Sequence, residues 1–237
     1  MYGVNDEFDP SSISYEYKVD DVSIIKIQGV LAKGVGINDD GMIDVEIITD
    51  KLNTAMSDDS IKTIILDIDS PGGQVTGIEE LGNLILEYGK IKPILAYTDT
   101  LCGSAAYWLA SCCNGFAATP SSEIGSIGVF SLIEDHSERL EREGIKVNAF
   151  FGGIYKLLGM PFKKMSEIEK KWVDDGVQEQ YSKFKSTVSN NRGGVKDEHM
   201  QGQIFGAAQA LQANLIDIIV KDMNEFMDIC SVSVPHI

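Results

Sequence analysis

Ser104 lies in the stretch LCGSAAYWLA, residues 101 to 110, between a glycine and two alanines where an apolar helix begins. A serine so placed supports two readings. As an N-cap, its hydroxyl accepts a hydrogen bond from the first helical turn. As a nucleophile, its oxygen attacks an acyl carbon, and the unpaired amides of the helix start, that of Ala105 foremost, take up the developing negative charge. A nucleophile needs a base, and His136, His199 and His236 are the only histidines. His136 falls on a helical face with Leu132 and Leu140, His199 in a polar loop and His236 in the tail, so a Ser-His-Asp triad is hard to assemble. A lysine can serve instead where burial disfavours its charged form. Lys156, in FFGGIYKLLGMPF, sits among apolar residues directly after a predicted strand. The alternative is a lysine that lays its stem on apolar surface and keeps its amine in water.

Ser70-Pro71-Gly72-Gly73 closes the apolar run TIILDID at its carboxyl end, where open α/β sheets place their ligands. Paired glycines there free the backbone to point amides outward, as an oxyanion hole requires; a plain strand-to-helix turn accounts for them equally well. GSIGV, residues 125 to 129, lacks the lysine and the glycine pattern of a phosphate loop. Cys102, Cys112, Cys113 and Cys230 have no metal-ligand spacing and read as reduced, buried thiols. Cys102, two residues before Ser104, has no histidine near it in sequence and is assigned to packing.

The elements that must position these residues follow from periodicity. Two β segments broken at Asp20-Asp21 are expected over residues 16 to 30, and a helix over DVEIITDKLNTAM, with Val45, Ile48, Leu52, Ala55 and Met56 at helical spacing. TIILDID (63 to 69) reads as a strand buried on both faces of a parallel sheet. A helix carrying Ile78, Leu81, Leu84, Ile85 and Tyr88 follows, then the strand PILAYT (93 to 98) and the helix behind Ser104. Next come a strand near 115 to 119, turns over 120 to 130, a helix over about 131 to 143 and a strand over 145 to 151. A long helix opens with a Ser166/Glu169 capping box, carries Ile168, Trp172, Val173, Tyr181, Phe184 and Val188 on one side, and stops at Asn190-Asn191. A last helix, GAAQALQAN, feeds the strand LIDIIV (215 to 220). Strands alternating with helices imply a parallel-sheet α/β architecture. A single domain over residues 1 to 237 is expected, with 1 to 15 flexible and 222 to 237 a tail.

With 20 basic and 36 acidic residues the chain carries a net charge of −16, which repels phosphate backbones and anionic lipid and argues against nucleic acid as a partner. The acidic start MYGVNDEFDP has neither the basic nor the apolar segment of a signal peptide, and no run approaches the roughly 18 apolar residues of a membrane span. A cytoplasmic or assembly-associated protein without a membrane anchor is the expectation.

In order along the chain, ILDIDSPGGQVTGIEEL, KPILAYTDTLCGSAAYWLASCCN, SSEIGSIGVF, GGIYKLLGMPF and GQIFGAAQALQANLIDIIV resemble the S49 family of serine peptidases, the signal-peptide-peptidase A and phage head-protease group. The resemblance implies an α/β, ClpP/crotonase-like fold of repeated ββα units around a parallel sheet. It implies Ser104 as nucleophile, Lys156 as general base and Ser126 as the residue that orients the lysine amine. Oxyanion amides come from Gly73 or its neighbour Gly72, and from Ala105. No metal or other cofactor is implied. The substrate is a peptide held as an added β-strand, and a homo-oligomer is expected.

Two departures stand out: Ala105-Ala106 where the motif often has glycines, and Gln203 where an arginine is usual. The first is closer to the phage-type members. The resulting expectation is a phage or prophage capsid-maturation protease that cleaves scaffold and capsid proteins in the host cytoplasm or prohead interior, with any scaffold region supplied as a separate protein. The other readings are a cytoplasmic peptide-degrading member of the family, a non-catalytic assembly protein with the same fold, and a crotonase-type acyl-CoA enzyme. The charge of −16 weighs against the last.

Overall fold

Aliphatic and β-branched runs build the centre of a computed structural model that describes residues 16–36 and 41–233. In order, the elements begin with β1 (Glu16–Val19), β2 (Val22–Gln28), β3 (Val30–Ala32), β4 (Met42–Asp44), α1 (Val45–Ser57), β5 (Thr63–Asp69) and α2 (Ile78–Tyr88). They continue with β6 (Ile94–Thr98), β7 (Leu101–Gly103), α3 (Ala105–Ser111), β8 (Gly115–Ala118), β9 (Glu123–Gly125), α4 (Ser137–Arg142) and α5 (Glu167–Asn191). Last come β10 (Ile204–Gly206), α6 (Ala207–Gln212), β11 (Ile218–Ile219) and α7 (Met223–Ser233). Two compact units result, one drawn from Met1–Gly128 and Phe184–Ile237, the other Val129–Lys183.

The first unit holds a six-stranded sheet in the order β1-β2-β5-β6-β8-β11. All of its pairings are parallel except β1 on β2, which turn at Asp20-Asp21. β5 lies between two parallel neighbours, so Ile64, Ile65, Leu66 and Ile68 are all buried, as a continuous apolar run requires. Asp44 caps α1 by accepting the Glu46 N–H at 2.9 Å, and Val45, Ile48, Leu52 and Ala55 face the core.

Each central strand is followed by a short strand in a second layer: β3 after β2, residues 70–73 after β5, β7 after β6 and β9 after β8. These short segments are stitched together by a Leu31–Gly73 bridge, a Ser70–Cys102 bridge and the parallel β7–β9 pair, with β10 antiparallel on β9. Where an α-helix follows the short strand, the ββα repeat is complete.

The segment expected as a tail carries α7. Phe226 and Cys230 pack with Ile24, Ile65, Tyr97 and Ala117, and the Tyr97 and Phe226 rings stack at 5.9 Å. The spacing of Met223, Phe226, Met227 and Cys230 is the helical signal that foretells this. LIDIIV is a regular strand only over the two residues of β11, although the Asp217 N–H donates to the Phe116 carbonyl at 2.9 Å and the Val220 N–H to the Ala118 carbonyl at 3.0 Å on either side of it. The Leu215 carbonyl accepts the Tyr107 hydroxyl, and the Asp217 carboxylate takes Arg192 in a two-pronged contact at 2.8 and 2.9 Å. Residues 1–15, expected as flexible, lie outside the described residues.

The second unit departs most from expectation. The helix foreseen over 131 to 143 is confined to α4, because the Asp135 carboxylate captures the N–H and hydroxyl of Ser137 and starts the helix there. His136 therefore does not share a helical face with Leu132. Residues 145 to 151 pair with no strand. The Ser166/Glu169 box opens α5 as expected, with Glu169 also bound to Lys163 at 2.6 Å. On α5 Phe184 and Val188 are buried, whereas Ile168 and Trp172 are 56% and 58% exposed. No apolar side chain between Val129 and Lys183 is buried, and Phe130, Leu132 and Phe150 are almost fully exposed. Among the described residues, no helix is long and apolar enough to cross a membrane.

Candidate active site

β7 and β9 run parallel with Gly103 opposite Gly125, so the next residue of each strand is a serine. Ser104 and Ser126 both leave their strands at φ +52°, a conformation that side-chain-bearing residues rarely adopt. The Ser104 N–H donates to the Gly125 carbonyl at 2.9 Å, and the Ser126 N–H to the Gln203 carbonyl at 2.6 Å. The serine preceding α3 and the one following β9 are thus tied through a single peptide group. Gln203, noted for replacing an arginine, enters the site through its backbone.

Ser104 occupies the N-cap position of α3, and its carbonyl accepts the Trp108 N–H at 3.0 Å. Its hydroxyl makes no capping bond. At φ +52° and ψ −123° its backbone lies outside the extended region that capping residues normally adopt. The residue is partly exposed, while Ala105 and Ala106 behind it and Cys102 before it are buried. Burial pushes the Cys102 thiol far above the usual thiol range, which leaves it inert beside the serine.

Gly72 and Gly73 meet two demands at once. At Gly72, with φ +95°, a β-carbon would stand 2.7 Å from Ser104 Cβ, from the Ala105 nitrogen and from the Gly103 oxygen. At Gly73 it would stand 2.0 Å from the Leu31 carbonyl oxygen. Their amides differ. The Gly72 N–H donates to Ser70 Oγ at 3.1 Å, whereas the Gly73 N–H has no partner among the described residues. The Gly72 carbonyl accepts the Leu31 N–H at 2.8 Å, so across a trans peptide the Gly73 N–H points the opposite way, away from β3 and to the side of β7. The Ala105 N–H opens α3 and is likewise without an intrahelical acceptor.

Lys156 belongs to the second unit. It sits in a turn in which its N–H donates to the Gly153 carbonyl at 3.1 Å, and its side chain is exposed. The strand expected just before it is absent, so the local apolar surround inferred from its neighbours does not form there. Beside it, Tyr155 stacks on Trp172 at 4.8 Å. Ser104, Ser126, Gly72, Gly73 and Ala105 are brought together in the first unit.

His136 pairs with Glu134 at 2.7 Å, His199 lies edge-on to Phe205, and His236 is outside the described residues. No hydrogen bond joins a histidine to Ser104 among the described residues. Nor do three or more His, Cys, Asp or Glu side chains converge there as a metal site would need. Ser70 and Gly125 lie inside the SPGG and GSIGV stretches, but nothing in their local sequence marks either as a site residue.

A parallel sheet of ββα repeats, with a second layer of short strands ending at a strained serine, is the ClpP/crotonase-like fold. The chain belongs to peptidase family S49, whose profile matches residues 87–226. A protein of Methanocaldococcus jannaschii that carries a protease name is 28% identical over 86% of this chain and 68% of its own length. The capsid assembly protease C of Escherichia phage lambda is 27% identical over 76% of this chain and 42% of its own. Among solved structures, a mutant membrane-bound stomatin-specific protease with a substrate peptide shares the fold at a TM-score of 0.53 and 14% identity, over 88% of this chain and 79% of that one. The chain thus spans less than half of the phage relative.

Proposed function

We propose that the chain is a serine endopeptidase in which Ser104 is the nucleophile and Lys156 the general base. The observation that carries this reading is the backbone of Ser104: strained, with its hydroxyl unused by the helix, pressed against a glycine pair that could hold no side chain. Neutral Lys156 accepts the proton of Ser104 Oγ as that oxygen bonds to the peptide carbonyl carbon. The tetrahedral oxyanion receives hydrogen bonds from the Gly73 and Ala105 amides. Collapse breaks the C–N bond, the lysine proton passes to the leaving amine, and water then releases the acyl group by the same route. Gly72, whose amide is already taken by Ser70, shapes the site without donating to it. Ser126 orients the lysine amine.

The neutral form of a lysine is favoured by exclusion of water. Lys156 is exposed in the single chain, so the substrate strand and neighbouring copies supply the cover. The uncovered apolar side chains of residues 129 to 183 support self-association.

The likeness to the lambda capsid assembly protease supports a role in capsid maturation, with scaffold and capsid proteins as substrates inside the prohead or host cytoplasm. A second reading, a cellular peptide-degrading enzyme, is favoured by the larger share of the archaeal relative that the chain spans. Cleavage of a peptide library by wild type, Ser104→Ala and Lys156→Ala tests the chemistry. Both variants are expected to stay folded and lose cleavage; full activity in either overturns the mechanism. Cleavage of capsid protein against cleavage of unrelated peptides separates the two roles.

A further inference from the structure

The Ser-Pro-Gly-Gly turn is held by a side chain that the mechanism above does not use. Ser70 is completely buried. Its hydroxyl donates to the Gly29 carbonyl at 2.7 Å and accepts the Gly72 N–H at 3.1 Å. Its backbone is engaged on the other side, the N–H with the Leu101 carbonyl at 2.8 Å and the carbonyl with the Gly103 N–H at 3.0 Å. One residue therefore joins the end of β2, the strand that leads into Ser104, and the glycine turn that presses on Ser104.

Resting on the reading of Ser104 as nucleophile and Gly73 as oxyanion donor, we propose that Ser70 is the positioning residue of the oxyanion site. Its hydroxyl occupies the Gly72 amide and fixes the turn, so that the next amide, that of Gly73, is the one presented to substrate. The reason is steric and electrostatic together. A glycine at φ +95° has few local forces holding it there, because it has no side chain to anchor. What holds it is the Ser70 bond on its N–H and the Leu31 bond on its carbonyl. Removal of the hydroxyl leaves the buried Gly72 N–H without a partner, which buried polar groups strongly resist, and frees the half-buried Gly29 carbonyl. Rotation of the peptide planes around Gly72 relieves this and carries the Gly73 N–H off its direction. Serine suits the position because a hydroxyl donates and accepts at once, in a space where no further atom is exposed.

The test uses the full chain as wild type, Ser70→Ala, Ser70→Cys and a control, Ser23→Ala. Ser23 is also a buried serine, bonded to Glu16 at 2.9 Å on the β1–β2 pair. Rates are expressed per active site titrated with a peptidyl phosphonate, alongside the affinity of a peptide aldehyde that mimics the tetrahedral intermediate. Ser70→Ala is expected to lower kcat about 10- to 100-fold, somewhat less than loss of a whole oxyanion donor, with KM changed less than about 3-fold. Aldehyde affinity should fall with kcat. Ser70→Cys, which keeps a weaker donor and acceptor on a slightly larger atom, should fall between. Ser23→Ala should lower the melting temperature without changing kcat per site. A Ser70→Ala enzyme with kcat and aldehyde affinity within about 2-fold of wild type overturns the proposal while leaving Ser104 chemistry intact. Full activity in Ser104→Ala overturns the mechanism instead, and the turn is then judged by a crystal structure of Ser70→Ala. Displacement of the Gly72–Gly73 peptide supports the role of Ser70, and a turn with Gly72 unmoved and its Leu31 bond intact refutes it.

Discussion

Gly72 and Ser104 stand so close that a β-carbon on the glycine would lie 2.7 Å from that of the serine. The two residues are 32 positions apart and belong to different ββα repeats, yet both sit at positive φ, +95° and +52°, and the serine leaves no room for a side chain on the glycine. The site is therefore a product of packing between repeats.

Gly72→Ala tests that contact. The substitution meets both a positive φ and a clash with atoms of Gly103, Ser104 and Ala105, so some backbone must move. A loss of activity of at least about 100-fold is expected, with destabilisation of about 1–3 kcal/mol. Urea denaturation and peptide cleavage on the same preparation measure both. A variant as active as wild type would mean that the turn and the serine are not mechanically coupled.

Asp67, near the carboxyl end of β5, governs part of the pH dependence of stability. Burial first and the nearby Asp99 second push its carboxyl up from 3.8 to about 6, against the pull of Lys26. Between those two values the folded chain holds a proton that the unfolded chain has released, so stability falls as pH rises from about 4 to above 6. Asp67→Asn should be more stable than wild type at pH 7.5 by on the order of 1–2 kcal/mol, the advantage vanishing near pH 4. Denaturant midpoints across that range measure it, and a gain that grows on acidification would reverse the sign.

Arg192 and Asp217 fasten the end of α5 to the approach to β11. Arg192 is 6% exposed, and the Asp217 side chain is 51% exposed. Loss of the partner is therefore worse for the arginine, whose charge would remain buried without compensation. Asp217→Asn should cost about 3 kcal/mol and Arg192→Met less, about 1–2 kcal/mol. The same order of midpoints in urea is expected, and equal losses would show that the arginine finds other partners.

The central sheet was legible because β5 and β6 are nearly continuous apolar runs and α1 and α2 keep a clean helical period. The second layer was not. β3, β7, β9 and β10 are three residues each, too short for any periodicity to register, and they exist only because their neighbours pair with them. That layer sets the backbones of Ser104 and Ser126, so the motifs pointed to these residues while the geometry that strains them stayed hidden. Residues 145 to 151 failed in the other direction. They have strand-like composition, but β-propensity expresses packing against a partner strand, and none is there. The buried hydroxyl of Ser70 was invisible because nothing local separates a structural serine from a turn residue.

The most direct measurement is intact-mass and peptide-map analysis after exposure to a peptidyl phosphonate, which reacts fastest with an activated serine oxygen. Wild type is expected to gain one adduct, located on Ser104, with Ser104→Ala unlabelled and Lys156→Ala labelled at least about 100-fold more slowly. An adduct on any other residue, or labelling of Lys156→Ala at the wild-type rate, would contradict the assignment of nucleophile and base.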